Sequence, residues 1–140
     1  MSICHTVIPD ISEGEQGEEI IRYQASSPDE LALIEGANTF GYEFVNRSMN
    51  TISIKVFQRQ SEDWNVFFEF PFDSTRKRMS LIVKSQNSED YLLLTKGADS
   101  IMIPRLLIDK AELKILEKQL SDYAREGLRT LVMAQRKISK

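Results

Sequence analysis

The chain has 140 residues, 21 acidic against 18 basic side chains and 41% apolar residues, which is the size and composition of one soluble-type domain with material for a proper core. A net charge of −3 gives no global attraction to nucleic acid or an acidic membrane surface, and a single cysteine, Cys4, excludes an internal disulfide and fits a reducing, cytosolic setting. No apolar run approaches the about 18 residues of a membrane span, and the opening MSICHTVIPD has neither the basic region nor the apolar stretch of a signal peptide.

In chain order, Pro9–Glu19 is acidic and without apolar period, and reads as an exposed loop. Ile20–Tyr23 reads as a short strand. Ser26-Ser27-Pro28-Asp29-Glu30 is a helix start, with Ser27 to cap, Pro28 at the first position and two acids facing the helix dipole. Leu31, Ile34, Ala37 and Asn38 continue at helical spacing, and Gly41 ends the helix. Tyr42–Asn46 and Thr51–Phe57 are strand-like, the second alternating Ile52, Ile54 and Val56 with polar residues. Trp64–Phe72, Arg78–Lys84 and Tyr91–Thr95 follow as an antiparallel meander. Asp99-Ser100 can open a short helix, with Asp99 as a local cap. Asp109–Arg125 is the clearest helix, with Asp109 and Glu112 as a capping box and Leu113, Leu116, Leu120, Tyr123 and Ala124 on one face. Gly127 stops it, and Leu128–Arg136 closes as a strand. Strands with helices before and after predict an α+β domain, a sheet flanked by helices.

Four places carry chemistry. Ser27-Pro28-Asp29-Glu30 reads as a capping box, with Glu30 reaching back to the cap's own N–H, or as an acidic pair accepting hydrogen bonds from a ligand. Phe72 followed by Arg76, Lys77 and Arg78 reads as a core aromatic before a solvated basic turn, or as a ring for base stacking with cations for phosphate. Thr95-Lys96-Gly97-Ala98-Asp99 places a cation at a strand end where glycine permits close backbone approach. Gly127-Leu128-Arg129-Thr130 starts a strand with an arginine. Cys4 and His5 have no further Cys or His to complete a zinc set. Neither a G-x-x-x-x-G-K-[ST] loop nor G-x-G-x-x-G occurs.

In order along the chain, Ile3–Pro9 (ICHTVIP), Tyr23–Glu30 (YQASSPDE), Phe72–Ser80 (FDSTRKRMS), Lys96–Asp99 (KGAD) and Gly127–Leu131 (GLRTL) together resemble the nucleotide-binding domain of P-type ATPases. The match is closest to the type IV, phospholipid flippase subfamily, through CHTV and SPDE. The resemblance implies a twisted antiparallel β-sheet flanked by helices, with residues 1–140 as a single cytosolic nucleotide-binding domain excised from a larger membrane pump. It implies ATP binding with Mg2+: Phe72 stacks on adenine, Glu30 lies near the adenine amino group, Lys77 and Lys96 flank the nucleotide, and Arg129 is directed at the phosphates. Asp29, Ser80, Met79, Gly97 and Leu131 are implied around them.

The D-K-T-G-T motif that carries the phosphorylated aspartate of such pumps is absent from these residues. The isolated chain is therefore expected to bind ATP without hydrolysing it. Its implied partners are the phosphorylation and actuator domains of a membrane-embedded parent, with an accessory subunit, at the cytosolic face of a membrane, and no nucleic acid. The alternative from another class is a nucleotide-independent interaction module, in which the acidic Pro9–Glu19 segment and the basic 76–78 turn bind other protein domains.

Overall fold

A computed structural model describes residues 1–14, 17, 19–58 and 60–138. It is an α+β fold of two antiparallel sheets and three α-helices among the described residues. Strands β1 (Ile8–Glu13) and β2 (Glu19–Gln24) pair as a two-stranded sheet. Helix α1 (Pro28–Thr39) follows, and then β3 (Tyr42–Arg47), β4 (Thr51–Val56), β5 (Gln60–Phe70), β6 (Arg78–Ser85) and β7 (Tyr91–Gly97). A short α2 (Asp99–Met102) runs into a 3-10 turn at Ile103–Arg105, followed by α3 (Lys110–Arg125) and β8 (Val132–Ile138). The main sheet has six strands in sequence order from β3 to β8, every neighbour antiparallel.

The helix starts follow the local chemistry. The Ser27 hydroxyl accepts the Glu30 N–H at 3.3 Å, Pro28 opens α1, and Ile34 and Ala37 are buried. In α3 both halves of the box form: Asp109 accepts the Ala111 and Glu112 N–H groups, and Glu112 accepts the Asp109 N–H at 3.1 Å. Such a cap is worth about 1 kcal/mol. Gly127 ends that helix at φ +73°, a conformation costly for any residue with a Cβ.

Four boundaries differ notably from the sequence reading. The strand read as Trp64–Phe72 runs from Gln60 to Phe70, because β4 pairs it from Val56↔Gln60 onward, and Phe72 lies past its end. Ile8–Glu13 is a strand rather than a loop, because β2 needs a hydrogen-bonding partner and finds it there, in register from Ile8↔Gln24 to Glu13↔Glu19. The rest of the Pro9–Glu19 reading falls partly on residues outside those described. The closing strand begins at Val132, not Leu128, since Val132 pairs with Gly97 and β7 offers nothing beyond it. Asp99 is the first residue of α2 rather than its cap; Ala98 holds that position, and the Asp99 carboxylate accepts the Ser100 N–H at 2.6 Å.

The core lies on one face of the six-stranded sheet. Phe44, Ile52, Ile54, Leu81 and Val83 pack there against Ile34 of α1 and against Cys4 and Val7 of the segment before β1. Leu81 and Val83 alternate in β6 with Ser80 and Ile82, which point to the other face. His5 is also buried in this layer, its ring 4.4 Å from that of Phe44 and edge-on to it. Its Nδ1 accepts the Val7 N–H at 3.2 Å, which makes Nε2 the protonated nitrogen donating to the Ser2 carbonyl at 3.0 Å. Burial pushes the His5 pKa down to about 4.

Candidate functional site

The first and third chemical segments meet through one ion pair. Lys96, near the end of β7, places its Nζ 2.7 Å from Oε1 of Glu30 in the first turn of α1, and both side chains are about nine-tenths buried. Glu30 also accepts the Thr6 N–H, the Thr6 hydroxyl at 2.6 Å and the Ser26 hydroxyl at 3.2 Å. Burial by itself would raise the Glu30 pKa. The Lys96 and Thr6 hydrogen bonds and the Lys96 charge together outweigh it and hold the carboxyl below its usual range. Glu30 is therefore a carboxylate at neutral pH, and a lysine ammonium has two further N–H donors beside the one that meets it.

This geometry decides how Glu30 serves the helix. Its backbone N–H makes the forward half of the cap, but its carboxylate turns to Thr6 and Lys96 rather than back to the cap's N–H. Thr6 and Ser26 were not named as site residues in the sequence reading. Their only sequence signal is that they lie inside the CHTV and QASSPDE pieces; the fold brings Thr6 across 24 residues to Glu30.

The second segment is tied to the third through the backbone. The Lys77 carbonyl accepts the Ala98 N–H at 3.1 Å. A Cβ on Gly97 would stand 2.7 Å from that carbonyl oxygen and 2.6 Å from the Arg78 Cβ, so only glycine fits between the two strands there. Asp73 shapes the turn before it: its carboxylate accepts the Thr75 and Arg76 N–H groups, and its carbonyl the Lys77 N–H at 2.7 Å. Lys77 itself sits at φ +51°, a sparsely populated region for a residue with a Cβ, and its side chain is exposed. The Phe72 ring is 64% exposed, which rules out the core-aromatic reading and leaves a free stacking face.

The fourth segment joins through Arg129, whose Nε lies 3.0 Å from the Asp29 carboxylate. This pair is of a different kind from the buried one. Arg129 is 80% exposed, so the contact is worth about 0–1 kcal/mol and yields readily to a stronger anion. Four segments are thus chained together: Arg129 to Asp29, its neighbour Glu30 to Lys96, and Ala98 to Lys77 in the turn after Phe72.

The supporting positions divide. Met79 is directly opposite Lys96 in register and buried beside it in the core face. Ser80 faces the other side of the sheet, where it accepts the Thr95 hydroxyl at 3.0 Å, because successive strand residues alternate. Leu131 borders the groove under α3. Arg76 and Arg78 also line that groove rather than the Lys96 side. No group of three or more His, Cys, Asp or Glu side chains is placed to hold a metal ion among the described residues.

Comparison with known sequences bears on this arrangement. The sequence model of the family described as P-type ATPase, cytoplasmic domain N, matches residues 1–140. The chain is 41% identical over 138 residues, 99% of its length, to phospholipid-transporting ATPase C887.12 of Schizosaccharomyces pombe, covering 11% of that protein. It is 39% identical over 143 residues to phospholipid-transporting ATPase DRS2 of Saccharomyces cerevisiae and 38% identical over 146 residues to phospholipid-transporting ATPase 10 of Arabidopsis thaliana. All of the chain is matched in both, against 10% and 12% of the relatives' own lengths. The chain spans about a tenth of the curated relatives it matches.

Proposed function

The chain belongs to the P-type ATPase cytoplasmic domain N family, and from that premise we propose that it binds Mg-ATP in the constellation of Phe72, Lys77, Lys96, Glu30 and Arg129. In this reading it is the nucleotide-binding part of a phospholipid-translocating pump, as the names of its relatives indicate for them. The observation that carries the proposal is the chain of contacts that runs from Arg129 through Asp29 and its neighbour Glu30 to Lys96, and from Ala98 to the Lys77 backbone in the turn after the exposed Phe72, in a chain of net charge −3. Local positive charge on an acidic domain calls for a local anion, and a triphosphate with a flat base supplies both charge and stacking surface.

The residues divide the work by how they are held. Phe72 offers its face to the base. Lys96 is fixed by Glu30, whose carboxylate Thr6 and Ser26 hold in turn, so it presents its remaining N–H donors without having to be ordered when the ligand arrives. Glu30 acts on the nucleotide chiefly through that lysine, because its oxygens are already engaged. Arg129 exchanges its exposed contact with Asp29 for phosphate oxygens, where its planar fork makes paired bonds. Magnesium comes with the triphosphate. In the parent the domain orients the γ-phosphate toward an aspartate in a separate phosphorylation domain, a positioning role, and the chain alone binds ATP without turnover.

The test is an ATP titration of the chain read by amide NMR. Saturable shifts near Phe72, Lys77, Lys96 and Arg129 are expected at micromolar to millimolar ATP, millimolar binding being about −4 kcal/mol. Phe72→Ala is expected to weaken binding by about 1–3 kcal/mol, roughly 5- to 150-fold, with the fold intact. A folded chain with no shifts at several millimolar ATP would overturn the proposal, and so would steady ATP hydrolysis by the pure chain that Lys96→Ala abolishes.

A further inference from the structure

The loop that carries Phe72 and Lys77 lies outside the hydrogen-bond ladder of the sheet, since β5 ends at Phe70 and β6 begins at Arg78. Its own side chains must therefore hold it in shape. Two of them do so. The Asp73 Oδ1 accepts the Thr75 N–H at 2.8 Å and the Arg76 N–H at 2.7 Å, and the Asp73 carbonyl accepts the Lys77 N–H at 2.7 Å. Arg76 ties the end of the loop back to its start. Its Nη1 donates to the carbonyl of Pro71, the residue before Phe72, at 3.1 Å, and its guanidinium lies 5.6 Å from the centre of the Phe70 ring. Arg78 donates in turn to the Arg76 carbonyl at 3.2 Å.

This fastening leads directly to Lys77. The turn that Asp73 closes ends with Lys77 at φ +51°, a conformation that persists in a residue with a Cβ only where its surroundings over-determine it. Glycine would adopt it freely, yet the chain places a cation there. The same turn aims the Lys77 carbonyl at the Ala98 N–H and sets Arg78 against Gly97, the neighbour of Lys96. Asp73 thus stands at the joint that fixes the loop against the strand end carrying Lys96. The Arg76 guanidinium is engaged inside the loop and borders the groove under α3, so it is placed to hold Phe72 and Lys77 rather than to meet their ligand.

We propose, resting on the reading that Phe72, Lys77 and Lys96 hold a nucleotide, that Asp73 and Arg76 are positioning residues of that site. Neither touches the nucleotide; together they set the loop between β5 and β6 so that the Phe72 ring and the Lys77 ammonium are in place before it arrives. A loop ordered in advance loses no further freedom on binding, and affinity rises accordingly. The charge of Asp73 gives the idea a sign. A carboxylate near a triphosphate repels it, so a residue acting through its charge would bind ATP better once neutralised. A residue acting as an acceptor of backbone N–H groups is replaced by asparagine, whose amide oxygen makes the same turn, and not by alanine.

The test reads the whole chain by amide NMR, first without ligand and then through titrations with ATP and with adenosine. Asp73→Ala is expected to speed amide exchange at Thr75, Arg76 and Lys77, to change the HN–Hα coupling of Lys77, and to weaken ATP binding by about tenfold, the scale of a lost hydrogen bond to a charged group. Asp73→Asn is expected to keep the coupling and to bind ATP at least as well as the unaltered chain. Arg76→Ala, the second variant should Asp73→Ala not fold, is expected to weaken ATP and adenosine by the same factor, because it acts through the Phe72 loop. A loss confined to ATP would make Arg76 a phosphate contact and overturn its role. Asp73→Ala binding ATP as well as or better than the unaltered chain would overturn the role of Asp73, as would Asp73→Asn failing as badly as Asp73→Ala. An unaltered chain that binds no ATP would sink the nucleotide reading and this proposal with it. The ligand-free exchange and coupling separate the two failures, since they report whether Asp73 holds the turn without any nucleotide.

Discussion

The two faces of the six-stranded sheet are built to opposite rules. On one, Phe44, Ile52, Leu81 and Val83 are sealed under α1 and the segment before β1, and in the charged pair buried there, Lys96 with Glu30, the carboxylate is held by Thr6 and Ser26. On the other, α3 has no buried residue although Leu113, Leu116 and Leu120 form an apolar stripe, and Arg76, Arg78, Arg105 and Arg136 are in no ion pair among the described residues. The difference teaches that amphipathic pattern does not by itself give packing. α1 has almost no polar-to-apolar contrast around its circumference yet buries Ile34 and Ala37, whereas the strongly patterned α3 stands over a groove.

Truncation should expose this contrast most strongly. Phe44→Ala on the closed face is expected to cost about 3–5 kcal/mol, since the ring is fully buried and its neighbours cannot all collapse. Urea denaturation measures it, and a loss under about 1 kcal/mol would mean that the closed face is not the folding core.

Lys96→Met comes next. It leaves the Glu30 carboxylate buried without its cation, an expected loss of about 3 kcal/mol. Adding Glu30→Gln should restore part of that loss. A double variant no better than the single one would break the claim that the pair acts as a unit.

Acid should act on the closed face in two steps. His5 is neutral when folded, with a pKa of about 4 against 6.5. The unfolded chain therefore binds its proton first, and stability present above pH 6.5 declines as pH falls toward 4, by roughly 3 kcal/mol in all. Protonation would also set a donor at Nδ1 against the Val7 N–H. Glu30, held below its usual range, has its contribution in full above its unfolded value of about 4.5 and loses it as pH falls from there through its lowered folded value. Denaturation midpoints across this range should show the first slope, and His5→Gln should flatten it.

Gly97→Ala is expected to cost about 1–3 kcal/mol, because the new methyl would collide with the Lys77 carbonyl and with Cα and Cβ of Arg78. It should weaken ATP binding more than it lowers stability, since it pushes apart the strands that carry Lys77 and Lys96. Equal effects on both would argue that the close approach serves the fold alone.

The smallest effect belongs to the open face. Leu120→Ala on α3 is expected to cost less than about 1 kcal/mol, as the side chain is only partly covered. A loss as large as that at Phe44 would erase the distinction drawn between the faces.

Much of this was legible along the chain because it is local. The caps of α1 and α3, the turn glycines and the alternation of β4 and β6 depend on residues a few positions apart, and the structure places each close to where the pattern put it. Boundaries failed where a partner strand decided them: β1 exists because β2 needs it, and β8 starts where Gly97 of β7 ends. The same divide runs through the site. Phe72, Lys77, Lys96, Glu30 and Arg129 were marked by their chemistry and by the pieces in which they stand. That Glu30 is bound by Thr6 and Lys96, and that Ser80, Arg76 and Arg78 turn to the other face, was not written in any short stretch. The sequence alone determined which segments carry charge, ring and cap, because propensity and capping act within a turn of the chain. Only the tertiary structure decided which charges neutralise one another and which stay open, because ion pairs and burial are set by contacts across 24 to 100 residues that no local pattern encodes.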